Sequence, residues 1–391
     1  MIIRSWQRLI IFIFSLLIIF IIFMHNFVSL QELMYYIKYE AVKKSELKLS
    51  LRLVNPSVKL LACDPSNSLI LKADVRDGEG FPVNKALVAF SVEASGLKDT
   101  DIGSIMPLKA RTDKNGECIV KYIPPSYSNN LFEEGNPRVI LKAEIRNGDS
   151  ASSLSISLTR NPVVLVHGYR AGGYVFENLN EYLSSQGFNC SLFNYDSSNG
   201  VVDSSSRLDS FLKETKALCL SKGIQVEKFD LIGHSMGGLV ARYYTCSSDY
   251  ILEHDVNKII FISTPHRGSP WAPIGAKYYS DQGIKDLIPD NALLTKVFPS
   301  MLNNGLNNTI QTGSIVGQYD EVVSPESASL EEWNINTEVF FVGETSLNFD
   351  NLLKGNFAEG TNHINILSNK KVFEKLQTML NQQLPYPIQK K

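Results

Sequence analysis

Hydrophobic and polar positions follow four successive patterns along the chain. Residues 9–24 are apolar everywhere but Ser15, with Arg4 and Arg8 just ahead. A membrane span takes about 20 apolar residues and a cleavable signal core about 7–15, so length alone leaves this run between the two classes. The following His25-Asn26-Phe27-Val28-Ser29-Leu30 lacks the small-x-small pattern of a signal-peptidase site, and Tyr35 and Tyr36 suit a membrane interface. Residues 1–30 are therefore expected to form a signal anchor, an N-terminal membrane helix, with a removed signal peptide as the alternative. Either one, with the arginines held inside, places the rest of the chain outside the cytoplasm. Residues 31–49 contain no Gly or Pro and are rich in Lys, Glu and Leu, which predicts a helical stalk.

The third pattern has a period of two. Stretches such as Leu69-Ile70-Leu71-Lys72-Ala73-Asp74-Val75 and Leu87-Val88-Ala89-Phe90-Ser91-Val92 are punctuated by Asp77-Gly78-Glu79-Gly80 and Lys114-Asn115-Gly116, and predict an all-β sandwich over residues 50–160. The fourth alternates strand with helix across residues 161–391. Strands are expected at 163–166, 188–195, 229–232, 258–262, 313–316 and 338–342, with helices at 174–185, from 204 to 221, from about Met236, and from 369 to 380. That alternation predicts an α/β fold with a mostly parallel sheet flanked by helices. Residues 268–312 form an insertion too long for a plain connection and rich in Trp271, Ile274, Leu287, Leu293, Phe298 and Leu302; it is expected to be a lid that lines an apolar pocket, packs the core, or both.

Composition changes this picture little. With 391 residues the chain exceeds one ordinary core, consistent with two folded units after the leader. Its 40 acidic and 38 basic residues nearly cancel, which removes the broad electrostatic reason to bind nucleic acid. Five cysteines leave at least one thiol outside any disulfide; Cys63 with Cys118 is the one pair to consider, and Cys190, Cys219 and Cys246 read as small apolar residues.

The chemistry centres on Phe229-Asp230-Leu231-Ile232-Gly233-His234-Ser235-Met236-Gly237-Gly238, in which an apolar strand runs into G-x-S-x-G and then a helix. This is a nucleophile elbow: Ser235 must project from a tight, strained turn, and side chains at the flanking glycines would collide there. The helix start brings the Met236 N–H and the positive end of the dipole to where an oxyanion would form. Upstream, Val163-Val164-Leu165-Val166-His167-Gly168-Tyr169 ends a strand in the loop that supplies the second donor in this fold, assigned to the Tyr169 N–H; His167 reads as structural.

A serine hydroxyl needs a base. His25, His234 and His254 sit in poor contexts; His266 follows a strand, but triads on this fold run Ser, acid, His, which selects His363 in Gly360-Thr361-Asn362-His363-Ile364-Asn365. The acid is expected at Asp320, at a strand end in Val316-Gly317-Gln318-Tyr319-Asp320-Glu321-Val322-Val323; Glu321 is the rival, and Asp350 lacks the strand-end setting.

Two resemblances sharpen these expectations. The Asp77-to-Val83 turn, Val88-Ala89-Phe90 and Thr112-Asp113-Lys114-Asn115-Gly116 resemble bacterial immunoglobulin-like domains of the invasin and intimin type, which implies a spacer or adhesion unit with a possible cell-envelope partner. His167-Gly168-Tyr169, the elbow, Ser263-Thr264-Pro265-His266-Arg267-Gly268-Ser269 and Tyr319-Asp320-Glu321-Val322-Val323 resemble bacterial triacylglycerol lipases and related esterases of the α/β-hydrolase superfamily, over about residues 161–380. This implies an α/β-hydrolase fold and hydrolysis of acyl, chiefly lipid, esters through an acyl-enzyme without an organic cofactor. Some relatives carry a structural calcium ion, and no ligand set for one is evident in this chain. Acyl transfer or amide hydrolysis on the same fold, and a surface adhesion protein carrying the hydrolase as a passenger, are the competing functions.

Overall fold

A computed structural model describes residues 47–94, 102–126, 132, 137–145, 150–248, 250–343 and 362–388. The expected membrane anchor, nearly all of the stalk, and Asp350 lie outside the described residues. Among those described, no helix is long and apolar enough to cross a membrane.

Among the described residues, nine strands build the N-terminal sandwich: β1 (Lys48–Leu53), β2 (Leu60–Ala62), β3 (Leu69–Arg76), β4 (Leu87–Ala94), β5 (Ser104–Met106), β6 (Lys109–Arg111), β7 (Glu117–Ile123), β8 (Arg138–Ile145) and β9 (Ala151–Thr159). One sheet has the order β1-β3-β7-β5 and the other contains β2-β9-β8-β4-β6. The period-two pattern explains the burial: Leu69, Leu71, Ala73 and Val75 of β3 turn into the core while Ile70, Lys72, Asp74 and Arg76 turn away. Two expectations are corrected here. β1 begins at Lys48, inside the segment assigned to the stalk, because Leu47, Leu49, Leu51 and Leu53 alternate with Lys48, Ser50 and Arg52 and so carry a strand period that their helix-forming composition disguised. Cys63 and Cys118 form no disulfide. They follow or lie on strands of opposite sheets and pack as small apolar side chains in the sandwich core, where burial pushes the Cys118 thiol up to about 11.

The second sheet system is β10 (Val163–Val166), β11 (Cys190–Phe193), β13 (Phe229–His234), β14 (Val256–Ile262), β15 (Gln311–Gly317) and β16 (Glu338–Val342), all parallel, in the order β11-β10-β13-β14-β15-β16. Helices α1 (Glu177–Ser185) and α5 (Lys370–Asn381) cover one face; α2 (Gly200–Ser221) and α3 (Met236–Cys246) cover the other. Alternate residues of β10 feed the two cores, Val163 and Leu165 against α1 and α5, Val164 and Val166 against α2 and α3. That is why this strand is apolar without interruption. Helix α2 starts at Gly200, four residues before its predicted start, because the Val201 N–H donates to the Asp286 carboxylate at 2.7 Å, a cap supplied from far along the chain.

The two units are not separate beads. A two-residue strand, β12 (Ile224–Gln225), leaves the α/β part to pair in parallel with β2 and extends the sandwich sheet. Lys59 and Leu60 donate backbone hydrogen bonds to the Gly223 carbonyl, the Gln225 side chain donates to the Ser68 carbonyl at 2.6 Å, and Lys228 lies 3.7 Å from Asp64. The insertion expected at 268–312 ends where β15 begins at Gln311, and before that strand its regular structure consists of short helical turns, among them α4 (Gln282–Asp286). Leu287, Leu293, Leu294 and Phe298 join the core, whereas Trp271, Ile274 and Leu302 are exposed. The insertion thus packs the body and presents apolar surface as well.

Candidate active site

Strand order decides where a site can form. β10 is the first strand of the α/β sheet, the second lies on one side of it and the third, β13, on the other. Chain connections therefore diverge between β10 and β13, and a crevice opens at their carboxyl ends. The loop 167–169 leaves β10 there, and Ser235 directly follows β13.

Ser235 sits at φ 53°, ψ −128°, a conformation that costs a non-glycine residue roughly 1–3 kcal/mol. Its own N–H donates to the Ile262 carbonyl at 2.9 Å and α3 begins at the next residue, so the turn is locked between β14 and the helix. The elbow glycines are required by closeness: a Cβ on Gly233 would come within 2.6 Å of the Gly238 Cα. A Cβ on Gly168 would come within 2.8 Å of the Ser235 Cβ, so the β10 loop lies directly against the serine. The two residues expected to donate to an oxyanion, Tyr169 and Met236, are the next residues along the two segments in contact.

His363 completes the cluster. Its Nε2 is 3.0 Å from Ser235 Oγ and its Nδ1 is 2.8 Å from Asp320 Oδ2. Ser235 and His363 are buried, and the Asp320 side chain is 1% exposed. Burial alone would raise the Asp320 carboxyl, but the hydrogen bond and charge of His363 and the Val323 N–H outweigh it and hold it below its usual range. An ionised carboxylate only accepts, so Nδ1 carries the ring hydrogen and Nε2 is left to accept from the Ser235 hydroxyl. Asp320 Oδ1 is occupied by the backbone N–H groups of Val322 and Val323, both at 2.9 Å, which fixes the direction in which Oδ2 points.

Two further groups hold the histidine by its backbone. The His234 Nε2–H donates to the His363 carbonyl at 2.9 Å, and burial together with the neighbouring His363 pushes His234 down to about 3, so it stays neutral. The Glu321 carboxylate accepts from the His363 N–H at 3.1 Å. Glu321, the rival acid in sequence, thus touches the same histidine at a different atom. No motif announces either contact; a histidine inside the elbow and an acid beside the acid were the available signals.

Among the described residues, the remaining histidines lie apart from this cluster. His167 stacks on Tyr195 at 4.3 Å, donates from Nδ1 to the Gly168 carbonyl and accepts the Tyr195 N–H on Nε2 at 3.3 Å, all as a neutral ring. His266 is buried and takes the Arg242 guanidinium on Nδ1 at 3.2 Å, and both burial and that positive charge hold it well below its usual value. His254 is exposed. Among the described residues, no group of three or more His, Cys, Asp and Glu side chains is arranged to hold a metal ion.

The match to a known family agrees with the fold. Residues 161–344 match the family described as alpha/beta hydrolase fold. A triacylglycerol lipase of Pseudarthrobacter phenanthrenivorans is 34% identical over 124 residues, covering 29% of this chain and 36% of that protein. A triacylglycerol lipase of Burkholderia plantarii is 34% identical over 124 residues, covering 29% and 32%. The chain spans about a third of the length of these curated relatives. Among solved structures, the mature form of a Bacillus licheniformis lipase, BlEst2, aligns with a TM-score of 0.42 at 15% identity, over 56% of this chain and 91% of that one.

Proposed function

From an α/β-hydrolase domain over residues 161–344, we propose that this chain is a serine carboxylic ester hydrolase, a lipase or esterase, acting through an acyl-enzyme. The observation that carries the reading is the continuous path from Ser235 Oγ through the His363 ring to Asp320, with links of 3.0 and 2.8 Å. In the first step His363 Nε2 takes the hydroxyl proton as Ser235 Oγ bonds to the acyl carbon, and the carbonyl electrons move to oxygen. The Tyr169 and Met236 N–H groups stabilise that oxyanion, and Asp320 stabilises the imidazolium. Collapse expels the alcohol, which receives the proton from Nε2. Water, deprotonated by the same nitrogen, then releases the carboxylic acid and free Ser235.

An acyl substrate with an apolar chain suits the surroundings. Tyr319 and Ile364 flank Asp320 and His363 in sequence and are exposed, and the exposed Trp271 donates from Nε1 to the Glu321 carbonyl at 2.5 Å. We place the catalytic body outside the cytoplasm on a membrane anchor, because Arg4 and Arg8 precede the apolar run 9–24. Turnover of p-nitrophenyl esters of graded chain length, with fluorophosphonate labelling of wild type and Ser235→Ala, tests the chemistry. Turnover and labelling should both vanish in the variant; equal behaviour of the two proteins would refute the assignment. Competing alcohols and amines in the same assay separate hydrolysis from acyl transfer, and reporter fusions after residue 46 test the topology.

A further inference from the structure

The residue expected to donate its N–H to the oxyanion is also tied down by its side chain. The Tyr169 hydroxyl donates to Asp281 Oδ2 at 2.8 Å, and Asp281 Oδ1 accepts the Ile284 N–H at 3.0 Å, so one carboxylate caps α4 and grips the oxyanion loop. The Arg170 guanidinium lies 3.5 Å from the same carboxylate and 4.2 Å over the Tyr279 ring. The Tyr169 ring rests on the start of α4, where a Cβ at Gly283 would come within 2.9 Å of it. Burial and the Asp281 carboxylate push the phenol up to about 12, so it remains a donor through the neutral range. Beyond the ring, Arg170 takes a left-handed φ of 49° and its N–H donates to Ser197 Oγ at 2.7 Å.

α4 is itself held at its other end. Asp286, its last residue, accepts the Val201 N–H at 2.7 Å from the start of α2 and the Gln282 side-chain N–H at 2.6 Å. Five residues of the insertion therefore form a rib pinned by an acid at each end, one to the oxyanion loop and one to the start of α2. We propose that Asp281 is a positioning residue: through the Tyr169 phenol it fixes the backbone N–H of Tyr169 in the orientation that the oxyanion requires. A side chain that held only the insertion in place would need no bond to this tyrosine. The inference rests on the serine-hydrolase reading above and deepens it, since it makes a part of the insertion a fixed element of the catalytic apparatus.

The test compares wild type with Tyr169→Phe, Asp281→Ala and Asp281→Asn, with kcat expressed per serine titrated by fluorophosphonate and phenylboronic acid as the tetrahedral probe. Removing an oxyanion donor outright costs about 10²–10³ in kcat, so misplacing one should cost about 10–100-fold, with KM within about threefold of wild type. Boronate affinity should fall by a similar factor, because its adduct places an oxygen where the oxyanion forms. Asp281→Asn keeps one carbonyl acceptor and should recover part of the loss. Tyr169→Phe removes a single hydroxyl and serves if Asp281→Ala does not fold. Wild-type kcat per titrated serine and wild-type boronate affinity in a folded Tyr169→Phe would overturn the inference alone. A wild-type protein whose serine takes no fluorophosphonate would instead overturn the underlying reading, and the inference with it.

Discussion

Replacing Asp320 by Asn keeps the shape of the side chain and removes its charge, and the surroundings dictate which way the new amide faces. Oδ1 accepts two backbone N–H groups, from Val322 and Val323 at 2.9 Å each. The carboxamide oxygen must take that place, because an NH2 group there would leave two buried donors unsatisfied at about 1–3 kcal/mol apiece. The NH2 then replaces Oδ2, 2.8 Å from His363 Nδ1. Facing a donor, Nδ1 must become an acceptor, and the ring hydrogen moves to Nε2. That nitrogen meets Ser235 Oγ at 3.0 Å and, already protonated, has no lone pair to receive the serine proton. The expected loss in kcat/KM for p-nitrophenyl esters is about 10³–10⁴-fold, or about 4–5.5 kcal/mol of transition-state stabilisation. The melting temperature should change little, since the two hydrogen bonds of the His363 ring are retained with their directions reversed and the Val322 and Val323 N–H groups keep their acceptor. A folded Asp320→Asn protein within about tenfold of wild type would refute the argument that this acid sets the tautomer.

Glu321 offers a contrasting perturbation. Glu321→Ala removes the acceptor for the His363 N–H and loosens the loop without touching the ring, so steady-state kinetics should show a loss of about 3–10-fold in kcat; a loss as deep as that of Asp320→Asn would make Glu321 the acid. At the amino ends of β13 and β14, burial raises Asp230 to about 6, against the opposing Lys258 charge and Asn257 hydrogen bond, and raises Asp255 to about 6 despite the Tyr244 hydrogen bond. A carboxyl raised on folding binds protons in the native state before the unfolded chain does, so its contribution to stability is present at low pH and is lost as pH rises toward 6. Neutral buried His167, His234 and His266 act in the opposite sense, so the measurable quantity is the stability difference between wild type and Asp230→Asn. By chemical denaturation that difference should move in favour of the variant by about 1.4 kcal/mol between about pH 5 and about pH 7.5, and an unchanged difference would show that Asp230 is not strained by its charge.

Features written in local periods or in a single strained turn were legible in the sequence; those depending on chain closure were not. The four residues of β10 must be apolar because both faces are covered, and the elbow needs small residues because a Cβ at Gly233 or Gly237 would overlap the neighbouring backbone. β12 carries no such mark: two residues adopt the strand only because the Gly223 carbonyl receives the N–H groups of Lys59 and Leu60, and that partner lies in the sandwich, more than 150 residues earlier in the chain. The start of α2 depends in the same way on Asp286. The acid posed a sharper problem, because neighbouring carboxylates differ in sequence by one position and in space by the atom each reaches. Asp320 meets the His363 ring, Glu321 meets its backbone N–H, and His234, from the elbow, meets its carbonyl. The order of residues could name a histidine and an acid, but an imidazole held only at Nδ1 could still swing away from Ser235 about its backbone. It is the pair of main-chain contacts, one from the elbow and one from the residue beside the acid, that turns a residue of the right type into a ring with one direction to face.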